Sequence, residues 1–183
     1  MSSSTEQQHI RPYKNILPNI GEGAYVDPAA VVIGDVVLGK DASVWPMTVI
    51  RGDVNKVRVG DRSNIQDGTI IHESRPRPNN PAGYPTIIGD DVTIAHKVML
   101  HGCTIGDRVL IGMGAVVLDG VIIEDDVVVG AGALVTPGKR LKSGYLYIGS
   151  PARQARPLKD SEKAHFVETA INYIDLKNDY LSN

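Results

Sequence analysis

The feature that most constrains the fold of this 183-residue chain is an aliphatic residue at every sixth position. A period of six fits neither an α-helix, which repeats every 3.6 residues, nor a heptad. It fits a short strand, in which side chains point alternately inward and outward, followed by a corner. Three such units close one triangular coil with the aliphatic side chains inside. The positions are Val26, Val32, Leu38, Val44, Ile50, Val59, Ile65, Ile71, Ile88, Ile94, Leu100, Ile105, Ile111, Val117, Ile123, Val129 and Val135.

The composition agrees with a core of short strands and excludes some partners. Hydrophobic residues make up 42% of the chain and aromatic residues only 5%, so the core must consist of small branched side chains, which favour strands. The net charge of -2 predicts no attraction to nucleic acid or to an anionic membrane. No uncharged apolar run reaches the roughly 18 residues that cross a bilayer. The single cysteine, Cys103, and the absence of signal-peptide features predict a cytoplasmic protein.

The repeat also predicts how the chain is organised. An N-terminal extension covers residues 1–19, and the coiled repeats cover residues 20–137 with a protruding loop at 73–87, where prolines, asparagines and a glycine cannot continue a buried strand. A connecting segment at 138–159 leads to a helix at 160–183, which should pack along the outside of the coils. The apolar stripe that predicts this helix consists of Ala164, Val167, Ile171, Ile174 and Leu181.

Two histidines should stack on one edge of the coils. Three hexads make one turn, so Ile71 and Leu100 occupy the same corner of successive turns. The residues that follow them, His72 and His101, therefore lie one above the other at about the 4.8 Å separation of adjacent strands. This placement predicts that two imidazoles meet.

A third histidine should lie on the neighbouring edge. Ile65 and Ile94 share that corner, which places Asp67 beneath His96. One subunit would hold His96 too far from the other two histidines, whereas a threefold oligomer that sets one edge beside its neighbour's would unite all three. Three imidazoles with one open position are the ligand set of catalytic zinc, so the spacing predicts a homotrimer with shared metal sites.

The same counting predicts a position for Arg51. It places Ile50 beneath Ile65, one turn earlier in the chain. We therefore expect Arg51 on the edge that carries Gln66 and Asp67.

Four segments resemble the γ-class carbonic anhydrase family, and the match extends over nearly the whole chain. They are VIRGDV at 49–54, NIQDG at 64–68, IH at 71–72 and AHKVMLHGCTIG at 95–106. The repeats resemble the left-handed parallel β-helix of hexapeptide-repeat proteins, an all-β solenoid. This resemblance, rather than the period, implies the left hand, which is an exception to the usual right-handed crossover.

The resemblance implies a metal site and a reaction. His72 and His101 would bind zinc from one subunit and His96 from the adjacent subunit, although imidazole also suits Co²⁺ and Fe²⁺. The implied reaction is the reversible hydration of CO2 to bicarbonate by zinc-hydroxide chemistry.

Further residues receive roles from the same resemblance. The counterparts of Arg51 and Asp53 form a salt bridge at the subunit interface, and the counterpart of Gln66 hydrogen-bonds the metal-bound water. The counterpart of Asp67 joins the interface network, and Tyr173 matches a tyrosine near the active site.

Two departures from the family pattern leave other functions open. The most active members carry an acidic loop with a glutamate that shuttles protons, whereas this loop is basic with Glu73 as its one carboxylate, and Asp175 replaces an asparagine. The alternatives are a hexapeptide acyltransferase with a single histidine base, a thioester hydrolase that uses the same metal, and a zinc-stapled structural subunit whose loop recognises a partner.

Overall fold

A computed structural model describes residues 9–182, which form a three-sided, left-handed parallel β-helix with one helix beside it. Most strands span only two or three residues, because each hexapeptide contributes one short strand and one corner. In chain order, the elements are β1 Ile10–Arg11, β2 Asn19–Ile20, β3 Tyr25–Val26, β4 Val31–Leu38, β5 Ser43–Val44, β6 Val49–Val59, β7 Asn64–Ile65, β8 Ile70–His72, β9 Thr86–Ile88, β10 Thr93–Ile94, β11 Met99–His101, β12 Thr104–Ile105, β13 Leu110–Ile111, β14 Val116–Val117, β15 Ile122–Ile123, β16 Val128–Val129, β17 Leu134–Val135, β18 Arg140–Leu141, β19 Tyr145–Ile148, β20 Arg153–Pro157 and α1 Asp160–Ser182.

Parallel pairing arranges these strands into three sides. Side one is formed by β3, β5, β7, β10, β13, β16 and β19, with β20 antiparallel to β19 at its end. Side two contains β8, β11, β14 and β17, and side three contains β9, β12, β15 and β18. The long strands β4 and β6 pass from side two to side three without a break, so these two sides form one continuous sheet.

The interior confirms the six-residue period. Each side contributes one column of inward-facing aliphatic side chains, because register-matched partners on successive turns project into the same space. On side one, for example, Ile65 pairs with Ile94, Ile94 with Ile111, and Ile111 with Val129. All of the periodic residues are buried in this core except Val26, which is partly buried and packs against it.

Truncation of one inward-facing side chain is expected to be costly. Ile111 is fully buried, so Ile111→Ala should reduce the free energy of unfolding by about 2 to 5 kcal/mol through lost burial and an unfilled cavity. Ile122 faces outward and is 39% exposed, so Ile122→Ala should change it by only about 0.5 kcal/mol. Denaturant titrations of both variants measure the difference, and equal losses would contradict this assignment of inward and outward positions.

The predicted position of Arg51 is wrong. Ile50 pairs with Ile71 on side two, whereas Val44 is the residue that lies beneath Ile65. Counting back three hexads from Ile65 passes Val59 and Ile50 and reaches Val44. Ile50 therefore lies on the side that follows the side of Val44 and Ile65. Arg51 therefore shares its edge with the residues that follow Ile71.

The helix packs on side one, but through a different face from the one predicted. Phe166, Ala170 and Lys177 are its buried residues, and the Lys177 Nζ lies 2.9 Å from an Asp41 carboxylate oxygen. A lysine can bury its methylene stem when its ammonium group finds a partner, and a count of apolar residues alone misses this. Much of the predicted stripe stays exposed: Val167 is 46%, Ile171 is 51% and Leu181 is 55% accessible. Within residues 9–182, no helix is long and apolar enough to span a membrane.

The interruption of the repeat forms a hairpin between β8 and β9. Ser74 pairs with Tyr84, and Arg77 pairs with Asn80 at the tip. Asn55 anchors the hairpin to β6, because its side-chain amide donates to the carbonyls of Ser74 and Ala82 at 3.0 and 2.9 Å.

Candidate metal centre

Two imidazoles meet on the edge between sides two and three. His72 ends β8 and His101 ends β11, and the two residues pair directly in the parallel register. Their ring centroids are 5.2 Å apart, and the Nδ1 of His72 lies 3.2 Å from the Nε2 of His101. This is the stacking that the hexapeptide count predicts.

Each of these histidines also contacts a carboxylate through its other ring nitrogen. The Nε2 of His72 is 3.0 Å from Asp53 Oδ1, and the Nδ1 of His101 is 2.6 Å from Asp119 Oδ1. A carboxylate accepts hydrogen bonds, so each neutral ring carries its proton on the nitrogen that faces the carboxylate. The nitrogens that face each other then both present lone pairs.

Two facing lone pairs at 3.2 Å need a proton or a cation between them. In tetrahedral zinc sites the Zn–N distance of about 2.0 to 2.1 Å sets neighbouring ligand nitrogens about 3.3 Å apart. The separation between His72 and His101 matches that value, and each nitrogen can donate a lone pair when its ring carries the proton on the other nitrogen. The pair is therefore suited to hold two positions of a tetrahedral metal ion.

His96 lies on the other edge of side two, where side one ends. Its Nδ1 is 2.9 Å from Asp67 Oδ2, so the carboxylate selects the tautomer that leaves its Nε2 as a lone-pair donor. The imidazole is 41% exposed, and its edge is open in a single protomer. Two predicted site residues accompany it: Asp67, stacked beneath it, and Tyr173 of α1.

Tyr173 and Gln66 complete this second group of residues. Burial against Trp45, followed by the negative charge of Asp67, raises the pKa of the Tyr173 hydroxyl, so it remains a neutral donor at physiological pH. Gln66 is 5% exposed, and its side-chain amide nitrogen donates to Asn64 Oδ1 at 2.9 Å.

An ion pair lies beside His72. Arg51 Nη1 and Asp53 Oδ2 are 2.6 Å apart, while the other oxygen of Asp53 contacts His72. Burial alone would raise the pKa of Asp53, but the hydrogen bonds from Arg51 and His72 outweigh it and hold the pKa below its usual value. Asp53 is therefore ionised and able to fix the His72 ring.

Glu73 is not available as a mobile proton carrier. Its side chain is buried, and its Oε1 accepts three backbone N–H groups, from Asp53, Val54 and Asn55, at 3.0 to 3.1 Å. Its Oε2 is buried without a hydrogen-bond partner in the described chain, and burial raises the pKa of the carboxyl group. The one carboxylate of the loop thus braces the Asp53 segment from inside the protein.

The predicted site residues divide into two groups on the two edges of side two. One group lies where side two meets side three, and the other lies where it meets side one. Sequence reasoning missed two residues of the first group: Asp119, one turn above Gly102, and Ser74, whose hydroxyl contacts Asp119. The strand register is the signal that would have found Asp119, because Leu100 pairs with Val117 and Asp119 therefore lies above Gly102, next to His101. The groups are Arg51, Asp53, His72 and His101 on the first edge, and Gln66, Asp67, His96 and Tyr173 on the second.

Comparison with known proteins identifies several proteins that are similar to this chain. The bacterial transferase hexapeptide (six repeats) family matches residues 17–52, 85–117 and 102–137. Protein YrdA of Escherichia coli is 56% identical over 172 residues, which cover 94% of each chain. A probable carbonic anhydrase of Methanocaldococcus jannaschii is 48% identical over 157 residues, 86% of this chain and 94% of that one. Gamma carbonic anhydrase 1, mitochondrial, of Arabidopsis thaliana is 47% identical over 87% of this chain and 58% of its own length.

A solved structure of a hexapeptide-repeat protein is similar to nearly the whole chain. The hexapeptide transferase family protein of Anaplasma phagocytophilum superposes with a TM-score of 0.89 at 39% identity, over 96% of this chain and 99% of that one. The agreement extends along the coils and the C-terminal region rather than being confined to one repeat.

Proposed function

The chain belongs to the γ-class carbonic anhydrase-like proteins of the hexapeptide-repeat superfamily, and from this premise we propose a homotrimeric zinc protein that reversibly hydrates CO2 to bicarbonate. One observation carries the proposal: the candidate metal ligands lie on the two opposite edges of side two, with His72 and His101 on one edge and His96 on the other. Neither edge alone supplies three imidazoles. A threefold axis facing side two would place His96 of one subunit beside His72 and His101 of the next.

The outer surface of side two supports this assembly. Its outward-facing positions form an unbroken apolar row, in which each residue pairs with the next through the parallel register. Ile70 in this row is 41% exposed in one protomer, and polar residues would be expected on a side that faces water. The row lies between the two edges that carry the histidines. It consists of Val31, Val49, Ile70, Met99, Val116 and Leu134.

The residues of this chain have defined tasks in such a site. His72 and His101 of one subunit and His96 of the next would hold the zinc ion, whose Lewis acidity would lower the pKa of water to about 7 and supply hydroxide at neutral pH. Asp53 and Asp67 keep His72 and His96 in the tautomers that donate a lone pair outward. Tyr173 would offer a neutral hydroxyl beside Asp67 as a hydrogen-bond donor to water or bicarbonate. Gln66 belongs to the same edge, and its amide nitrogen, which donates to Asn64, has a second N–H that would serve the same purpose.

Proton removal is the step for which the chain is poorly equipped. Glu73 is buried, and the hairpin that follows it carries arginines rather than carboxylates. Protons must then leave through solvent and buffer, so we propose that hydration is slower than in family members with an acidic loop and rises with buffer concentration.

The test uses protein purified without added metal. We expect zinc at about one ion per subunit, CO2 hydration in stopped flow above the rate of free zinc, and loss of both in His96→Ala. His165→Ala is the control, because His165 is exposed on α1 and should leave both unchanged.

Other outcomes would redirect the proposal. Metal binding without hydration would favour the zinc-stapled structural subunit, for which the buried Glu73 already argues, or a thioesterase with the same metal. Absence of metal from the wild-type protein would contradict the proposed function.

A further inference from the structure

We propose that Asp119 is a positioning residue for His101, and that the hairpin between β8 and β9 holds Asp119 in place through the hydroxyl of Ser74. The inference rests on the proposed metal function, because its purpose is to orient a metal ligand. It gives the basic hairpin a role at the site that does not depend on proton transfer.

Both oxygens of the Asp119 carboxylate are engaged, each with a different partner. Oδ1 lies 2.6 Å from the Nδ1 of His101, and Oδ2 accepts a hydrogen bond from the Ser74 hydroxyl at 2.7 Å. Two bonds in different directions prevent the carboxylate from rotating. The short distance to His101 is that of a charge-assisted hydrogen bond, which is stronger than a neutral one.

The backbone around Asp119 is equally constrained. The Gly120 N–H donates to the Gly102 carbonyl at 2.8 Å, and the Asp119 carbonyl accepts from Gly138 at 2.9 Å, so the residue is tied to the turns below and above. Gly102 has a φ of +59°, and a Cβ there would collide with Asp119 Oδ1 and with Tyr84. A glycine at this position therefore makes room for the carboxylate beside His101.

The hairpin presents Ser74 from a fixed position. Ser74 and Tyr84 exchange two backbone hydrogen bonds of 3.0 Å, and the Asn55 amide secures the Ser74 carbonyl. The Tyr84 ring covers Gly120, where an added Cβ would lie 3.0 Å from the ring. The hairpin thus packs against the turn that carries Asp119 and holds the Ser74 hydroxyl against its carboxylate.

The consequence for His101 is a single tautomer. Asp119 holds the proton on Nδ1, which leaves Nε2 as the lone-pair donor that faces His72. A carboxylate partner also increases the basicity of a ligating imidazole, and removal of such a partner commonly weakens metal binding 10- to 100-fold.

The experiment measures zinc affinity by chelator competition in the full-length protein. We expect Asp119→Ala to weaken binding about 10- to 100-fold and Asp119→Asn, which keeps the shape but loses the charge, to fall between it and the wild type. Ser74→Ala should weaken binding about threefold, and Ser74→Thr should restore it because it retains the hydroxyl. The matched control is Asp107→Ala: Asp107 also caps a turn, accepting the Asp90 N–H at 2.8 Å, but it lies away from the histidines.

A second readout separates this inference from the proposed function. In metal-free protein, ¹⁵N chemical shifts of the imidazoles should show His101 protonated at Nδ1, and Asp119→Ala should shift the population toward the Nε2–H tautomer. This result is expected even if the protein hydrates no CO2. Wild-type zinc affinity or an unchanged His101 tautomer in Asp119→Ala would overturn the role of Asp119. Wild-type affinity in Ser74→Ala would overturn the role of the hairpin.

Discussion

Subunits carrying His96→Ala and subunits carrying His101→Ala are expected to recover metal binding when they assemble together, although neither variant binds metal alone. The physical reason is that the two groups of donors lie on opposite edges of side two, so each variant damages only one half of every site. In a cyclic trimer that contains both variants, one interface joins an intact His72 and His101 to an intact His96.

The expected yield follows from the symmetry. Random assembly from equal amounts gives about three quarters mixed trimers, each with one complete site, so about one quarter of all sites should hold zinc. The measurement is bound zinc per subunit after the two variants are refolded together, compared with each variant refolded alone. A mixture of two variants that both lack His96 is the control and should bind no metal. Zinc retained by each variant alone would contradict a shared site.

A charge in the apolar row of side two is expected to dissociate the assembly. Ile70→Glu places a carboxylate at the centre of the proposed subunit contact, where burying it without a partner costs about 3 to 5 kcal/mol per interface. The side chain is 41% exposed in the protomer, so the substitution should leave the coils themselves folded. The expected product is a folded monomer that has lost its zinc, because each proposed site takes its ligands from two subunits.

Analytical ultracentrifugation gives the mass, and circular dichroism checks that the coils remain. Ile122→Glu is a matched control: Ile122 is 39% exposed and, like Ile70, faces outward from the first position of a short strand, but it lies on side three. That variant should remain trimeric with its metal. Persistence of the trimer in Ile70→Glu would show that the subunits meet elsewhere.

Much of the fold could be predicted from the sequence because a parallel solenoid converts a linear period into a spatial register. Once three hexads make a turn, residues on successive turns stack whatever their distance along the chain. The contact between His72 and His101 across the hairpin follows from this, since the chain leaves side two at β8, resumes the count on side three at β9 and returns to side two one turn later at β11. The misplacement of Arg51 shows the limit, because an error of one hexad moves a residue to the next edge.

The site could be predicted less completely. The hexapeptide count indicated which edge carries each histidine and could have placed Asp119 next to His101, but it contained no information about the contact between Asp119 and Ser74. Those residues are 45 positions apart and meet only because the hairpin folds back onto the next turn. Glu73 illustrates the same limit: the sequence shows only that it is the one carboxylate of the loop, whereas the backbone N–H groups of β6 hold its carboxylate in the interior.

What the sequence by itself determined is the repeating backbone path, since the aliphatic period dictates which side chains enter the interior and hence the pairing of every turn. Only the tertiary structure decided the directions and partners of the polar side chains that lie outside that interior. Burial of the aliphatic side chains inside the coils strongly favours one register. A polar side chain outside that interior, such as an aspartate, serine or lysine, instead has several partners of similar energy within reach. Its choice depends on which of them the folded chain brings within about 3 Å.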